Sequence, residues 1–216
     1  MLGTRLQILL TLQRKGRDTV ESLAHSLGLA PATIRRHMDI LQRDHLIAFQ
    51  EVKRPTGRPE YSFFLTEAGH EELPKNYGQL LDSLFQEIMS LEKKDVEGQD
   101  GKGLIEIILA RIAKRIADRA QVSPDDDLNQ RATTLAAVLE QEQFTPLVEQ
   151  KGGRVHVELF NCPFRSVALE HKFLCAFDYH LLTGILGTSV SMEKCVAWGD
   201  SSCSYVTPEP KSSLAV

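Results

Sequence analysis

The residues best suited to chemistry are four cysteines, Cys162, Cys175, Cys195 and Cys203, spaced C-x12-C-x19-C-x7-C, with none in the first 161 residues. Thiolate sulfur is the usual ligand of iron-sulfur clusters and of structural zinc, and both take about four such donors. Confinement to one stretch points to one thiol site in one domain. No C-x2-C pair occurs, so the spacing matches neither a ferredoxin-type cluster nor a zinc ribbon. Reduced cysteines that only fill core are a second reading. A cysteine-nucleophile enzyme would need His156, His171 or His180 as partner, and no catalytic signature surrounds them. There is likewise no G-x4-G-K-[ST] phosphate loop, no H-E-x-x-H and no nucleophile elbow, so an enzyme is not expected.

A second chemistry lies at the other end. Residues 1 to 66 carry ten Lys or Arg against six Asp or Glu, while residues 67 to 216 carry fifteen against twenty-three. A basic module on an acidic body suits phosphate contact confined to one end.

The elements that would position those basic residues follow from periodicity. Leu6, Leu9, Leu10 and Leu12 predict a helix ended near Gly16. Val20 to Leu27 predict a second, with Asp18 as N-cap and Glu21 completing a capping box. Gly28 breaks it, and a third begins at Pro31, with Ile34, Met38 and Leu41 as its buried stripe. Thr33, Arg35 and Arg36 lie off that stripe, near the helix start that a helix-turn-helix lays in the major groove. Two strands, Ile47 to Val52 and Tyr61 to Leu65, enclose the basic Pro/Gly loop 53–59, a wing whose Lys53, Arg54 and Arg58 can reach phosphates or a minor groove.

Beyond the wing, Leu81, Leu84, Phe85, Ile88 and Leu91 predict a helix with one apolar stripe over residues 78 to 92, buried on its own body or on a second copy; the second copy is the preferred partner. Residues 93 to 103 read as a linker, and helices are expected over 104–120 and 128–141 around the acidic turn Ser123 to Asp127. From Gly152 the period changes. Val155, Val157 and Leu159 alternate as a strand. A helix through Val167, Ala168, His171 and Leu174 leads to Cys175, a second runs through Leu181 to Leu186, and strands over 190–197 and 204–206 flank a Gly199-Asp200 turn. That arrangement sets Cys195 and Cys203 across a hairpin, with Cys162 and Cys175 flanking the preceding helix.

The stretch from Gly57-Arg58-Pro59 to Leu65-Thr66 and Gly69, then Leu73-Pro74-x-x-Tyr77, resembles the winged-helix repressors of iron-sulfur cluster assembly genes, the Suf-operon repressor type within the ArsR- and DeoR-like group. Asn161-Cys162-Pro163-Phe164, the gap to Cys175, Leu181-Leu182-x-x-Ile185-Leu186-Gly187 and Gly199-x-x-Cys203-x-Tyr205 resemble the cluster-binding half of the same family. The resemblance implies a cluster-controlled repressor with Cys162, Cys175 and Cys203 as ligands. Its third cysteine would fall at Ser189, where this chain has Cys195 six residues later, so Cys195, His171 and His180 remain alternatives for the fourth ligand. The segment Cys195-x3-Gly199-Asp200-x2-Cys203-x-Tyr205 is also similar to the end of vinyl-reductase-type ligand-sensing domains, which implies zinc beside a small-molecule pocket.

The chain has 216 residues, 42% hydrophobic and 25% charged, enough for two domains, and lacks a membrane-length apolar run or a secretory leader pattern. A cytoplasmic protein is expected. The expected fold class is α+β: a winged helix-turn-helix domain over 1–72, a connecting and dimerisation segment over 73–103, a sensor domain over 104–207 and a tail over 208–216. Expected partners are a double-stranded DNA operator and a second copy, with an iron-sulfur cluster, or alternatively zinc, as cofactor.

Overall fold

The computed structural model describes residues 3–52 and 60–209. The chain divides into two compact units, Met1–Pro74 and Lys75–Val216.

In the first unit, α1 (Thr4–Lys15), α2 (Val20–Leu27) and α3 (Pro31–Arg43) enclose a core in which Ile8, Leu12, Leu23, Ile34, Met38 and Leu41 are almost wholly buried. Pro31 opens α3 at a position whose N–H needs no partner. Gly28 closes α2 at φ 65°, a left-handed conformation that glycine adopts without strain and that turns the chain sharply toward α3. The hairpin of β1 (Ile47–Val52) and β2 (Glu60–Leu65) is antiparallel, with Ile47 opposite Leu65 and Val52 opposite Glu60. The wing tip, with Lys53, Arg54 and Arg58, lies outside the described residues. In α4 (Glu67–Glu71) a Cβ on Gly69 would collide with the Leu46 carbonyl, so only glycine lets this turn close on the strand entry.

The start of α2 differs from the sequence expectation. Thr19 is the N-cap, its side chain accepting the Ser22 N–H, while the Asp18 backbone exchanges two hydrogen bonds with Phe63 and extends the wing sheet by a bridge. A residue whose backbone is committed to a strand partner cannot also occupy the cap. The Asp18 carboxylate instead pairs with Lys15 at 2.7 Å.

The second unit begins with α5 (Tyr77–Met89), followed by α6 (Lys93–Val96), α7 (Gly101–Arg119) and α8 (Leu128–Gln141). The stretch expected to be linker thus contains a helical turn, α6, held by the reciprocal Glu92 and Asp95 capping box and by the Asp95–Arg111 ion pair at 2.7 Å. Next come β3 (Pro146–Lys151), β4 (Arg154–Leu159), α9 (Arg165–Glu170), a 3₁₀ turn (Lys172–Cys175), α10 (Ala176–Leu186), β5 (Ser191–Lys194), a second 3₁₀ turn (Val196–Trp198) and β6 (Cys203–Val206). The strands form one antiparallel sheet in the order β3-β4-β6-β5. Val155, Val157 and Leu159 project from β4 into a core shared with Leu109 and Ile112 of α7, Leu135 and Leu139 of α8, and Leu181, Leu182 and Ile185 of α10.

The helix expected to run through His171 to Leu174 is broken: α9 stops at Glu170 and the chain reaches Cys175 through a 3₁₀ turn. The strand expected over 190–197 stops at Lys194, where its register on β6 shifts, and continues as a 3₁₀ turn. In α5 the apolar residues occupy two adjoining faces. Leu80 is buried, and Tyr77 and Leu84, with Leu91 beyond the helix end, pack against the same core. Leu81, Phe85, Ile88 and Met89 are 52%, 56%, 51% and 87% exposed. No helix among the described residues is long and apolar enough to cross a membrane.

Candidate functional site

Two surfaces carry the candidate chemistry, one in each unit. On α3 the buried stripe fixes the rotation of the helix and leaves Thr33, Arg35, Arg36 and Asp39 exposed. Arg35 Nη2 bonds Glu21 Oε1 of α2 at 2.6 Å, so this arginine helps join the two helices. Arg36 makes no side-chain bond among the described residues, which leaves its guanidinium with all five donors for an external acceptor. Arg17 Nη1 donates to Gln50 Oε1 of β1 at 3.4 Å.

The thiol region is assembled from four places in the chain. Cys162 follows β4 on the Asn161-to-Phe164 turn, Cys175 ends the 3₁₀ turn before α10, Cys195 follows β5, and Cys203 opens β6. The Cys175 and Cys195 Sγ atoms stand 3.7 Å apart. With metal-sulfur bonds of about 2.3 Å, two thiolates on one tetrahedral metal stand about 3.8 Å apart, so this pair already matches one edge of such a site. Cys203 Sγ accepts the Val196 N–H at 3.4 Å, a dipole aimed at sulfur from the residue next to Cys195. The intervening turn is tight: Trp198 N and Asp200 N both donate to Cys195 O, and Asp200 Oδ2 accepts Cys195 N–H at 2.8 Å. Among the described residues no three Cys, His, Asp or Glu donors converge closely enough to hold a metal ion, and the 3.7 Å pair stands by itself.

Two acidic neighbours had no part in the sequence expectations as site residues. Asp178 lies one turn beyond Cys175 on α10, and Tyr205 lies two residues beyond Cys203 on β6, so each shares a face with its cysteine. Both are buried, and Tyr205 Oη donates to Asp178 Oδ2 at 3.3 Å. The i, i+3 and i, i+2 spacings were the signal that would have found them.

Burial pushes the Cys162 thiol up to about 12; the Asp178 carboxylate adds to this, while the Phe164 N–H, Lys75 and Arg165 pull it down. Burial also raises Cys175 and Cys203, with Asp178 the next contributor at each. Asp178 is itself raised to about 7 by burial, against the Tyr205 hydrogen bond. These groups therefore resist losing protons together, and a thiol held protonated is a poor nucleophile. A metal cation supplies the positive charge that such a set lacks, and thiol sulfurs at metal-ligand spacing are the donors it takes. Only the Cys175 and Cys195 sulfurs stand at thiolate-metal spacing, and among the described residues no third donor joins them.

Comparison with known proteins bears on the first unit. Residues 1–48 match the family described as winged helix-turn-helix DNA-binding. The three helices and hairpin of the N-terminal unit have the winged helix-turn-helix fold that this family describes. Among solved structures, Bacillus subtilis PadR in complex with operator DNA is similar at 17% identity over 64% of this chain and 90% of that one, with a TM-score of 0.29, too low to carry an argument about this chain. No curated protein matches the chain.

Within the winged helix-turn-helix domain, Thr33, Arg35 and Arg36 share the exposed side of α3. In the second unit, Ser189 is exposed and Cys195 is the cysteine brought to Cys175. His171 stacks on Phe173 and His180 lies edge-on to Tyr179, and neither joins a ligand group among the described residues.

Proposed function

We propose that the protein is a DNA-binding transcriptional repressor whose operator affinity is controlled by a metal site built from Cys162, Cys175, Cys195 and Cys203. The observation that carries this reading is the Cys175–Cys195 pair at 3.7 Å, with Cys175 half-buried and its thiol raised by burial and then by Asp178. An iron-sulfur cluster is the first assignment, supported by the motifs around Cys162, Cys175 and Cys203. A cluster with four cysteine ligands has two per iron when it holds two irons and one per iron when it holds four, so two thiols at the edge of one metal favour the two-iron form. The same spacing favours zinc as a second reading.

When bound, the group would supply the positive charge that keeps the four sulfurs ionised, and it would change the order of the segments that carry them. The chain's own residues do the rest. Val196 N–H orients Cys203, Asp200 holds the Cys195 turn, and the core beneath excludes water. The exposed stripe Leu81, Phe85, Ile88 and Met89 supports homodimerisation through α5, since a two-fold pair buries the same stripe on both copies and sets two recognition helices on two half-sites.

The test is to purify the protein without oxygen, record its visible absorption, and assay iron, sulfide and zinc on the same sample. Operator binding is then compared before and after metal removal. Broad absorption near roughly 400 nm, as thiolate-ligated iron shows, with matching iron and sulfide and metal-dependent DNA binding is the expected result. Colourless protein with about one zinc per chain selects the second reading. DNA binding that ignores metal removal sinks both.

A further inference from the structure

We infer that Cys175 and Cys195 form a reversible oxidation site, joined by peroxide into a disulfide within one chain. This needs only one pair of residues in the second unit and does not rest on the metal-controlled reading above. Their sulfurs stand 3.7 Å apart, and among the described residues no third donor joins them. A disulfide takes two sulfurs and nothing else. Its bond is about 2.05 Å long, so closing it moves each sulfur by less than about 1 Å, within reach of a side-chain rotation. Both residues also lie on anchored backbone. Cys175 directly precedes α10, whose Phe177, Leu181 and Leu182 are almost wholly buried. Cys195 N–H donates to Asp200 Oδ2 at 2.8 Å, and its carbonyl accepts the Trp198 and Asp200 N–H groups. Two thiols held in this way meet far more often than two on a loose chain. Cys203, by contrast, has its sulfur turned to the Val196 N–H at 3.4 Å.

Burial sets the order of reaction. Cys175 is half-buried, whereas Cys195 is 1% exposed. Phe173 and Ala176, on either side of Cys175 in the chain, line an open groove with His171, Lys172 and Trp198, the last lying three residues beyond Cys195. Peroxide therefore meets Cys175 first. The Cys175 thiol gives up its proton and its sulfur attacks one peroxide oxygen; the O–O bond breaks, the departing hydroxide takes that proton to become water, and Cys175 is left as a sulfenic acid. The Cys195 sulfur then attacks the Cys175 sulfur, the S–O bond breaks, and the hydroxide leaves as water with the Cys195 proton. Together the two thiols lose two electrons, and one peroxide is reduced to two waters. Burial, and then Asp178, raise the Cys175 thiol, so the first step is slower than at an exposed thiol and the site answers sustained peroxide. The second step is intramolecular. It keeps Cys175 from passing on to the irreversible sulfinic acid, and a reducing thiol restores both residues.

The test uses the full chain, reduced and freed of reductant and metal without oxygen, then exposed to hydrogen peroxide over a time course. Remaining thiols are alkylated, and the digest is read by mass spectrometry. The expected product is a peptide pair linked through Cys175 and Cys195, lighter than the two reduced peptides by two hydrogens and separated again by dithiothreitol. Cys195→Ser removes the sulfur that resolves the sulfenic acid, so sulfenic acid trapped with dimedone at Cys175, together with the higher acids there, should rise roughly tenfold or more over wild type. Cys162→Ser and Cys203→Ser should keep the Cys175–Cys195 link. If Cys195→Ser does not fold, Cys175→Ser carries the test, because Cys195 should then stay reduced while peroxide is present. Folded wild-type protein that yields no such link overturns the inference. So does a link that joins Cys162 or Cys203 as often as this pair, and so does a Cys195→Ser variant whose Cys175 is trapped no more than in wild type.

Discussion

The two units of this protein differ in what they bury. The winged helix-turn-helix core is aliphatic, filled by Ile8, Leu12, Leu23, Ile34, Met38 and Leu41, with the Lys15–Asp18 and Arg35–Glu21 pairs at its surface. The second unit adds Cys195, Cys203, Asp178 and Tyr205 to a comparable aliphatic core. The first core is complete as it stands. The second contains groups, Cys203 and Asp178, whose ionisation burial opposes. Under the proposed function, one unit is a fixed instrument and the stability of the other would be set by a bound metal.

The largest test of that contrast strikes the fixed core. Ile34→Ala should destabilise the first unit by about 2–5 kcal/mol and leave the unfolding of the second unchanged, read as separate calorimetric transitions. Metal should do the reverse: at a free concentration about a thousandfold above its dissociation constant, loading should stabilise the second unit by about 4 kcal/mol and leave the first where it was. Equal shifts in both transitions would show that the units do not respond separately. Phe85→Glu places a charge on the exposed stripe of α5 and should weaken self-association by about 2 kcal/mol or more in sedimentation, without loss of metal. Arg36→Ala should weaken operator binding by about 1–3 kcal/mol while metal content and self-association stay as in the wild type. An Arg36 variant with full DNA affinity would shift attention to the wing.

Legibility followed the same division. Around α3 the proline at the helix start and the i, i+4, i+7 stripe of Ile34, Met38 and Leu41 specify the element locally, and the structure shows it as expected. Asp18 and Thr19 were confused because both types cap helices; the choice is made by Phe63, a partner forty-five residues away. β3 passed unnoticed because Pro146 to Lys151 is an edge strand, with polar residues at half its positions and no clear alternation. In α5 the stripe was legible, but periodicity records which residues are apolar and not which neighbour waits on each side, so Leu80 and Leu81 could not be assigned to different faces. At the thiol site the cysteines announced themselves. Asp178 and Tyr205 did not, because a carboxylate and a phenol are common on surfaces, and only the approach of α10 to β6 brings them under the thiols.

The position of the cysteines along the chain also sets an order of events during synthesis. Domains form as units from the N-terminus while the ribosome adds residues at about 5–20 per second. The contacts of the first core all lie within residues 6–73, whereas Cys203 pairs its strand with Leu159 and is added well over a hundred residues later. Each newborn molecule therefore has a folded DNA-binding head for several seconds, at those rates, before its last proposed ligand has left the peptidyl-transferase centre. Under the proposed function, control by metal would therefore arrive only after the DNA-binding head has formed.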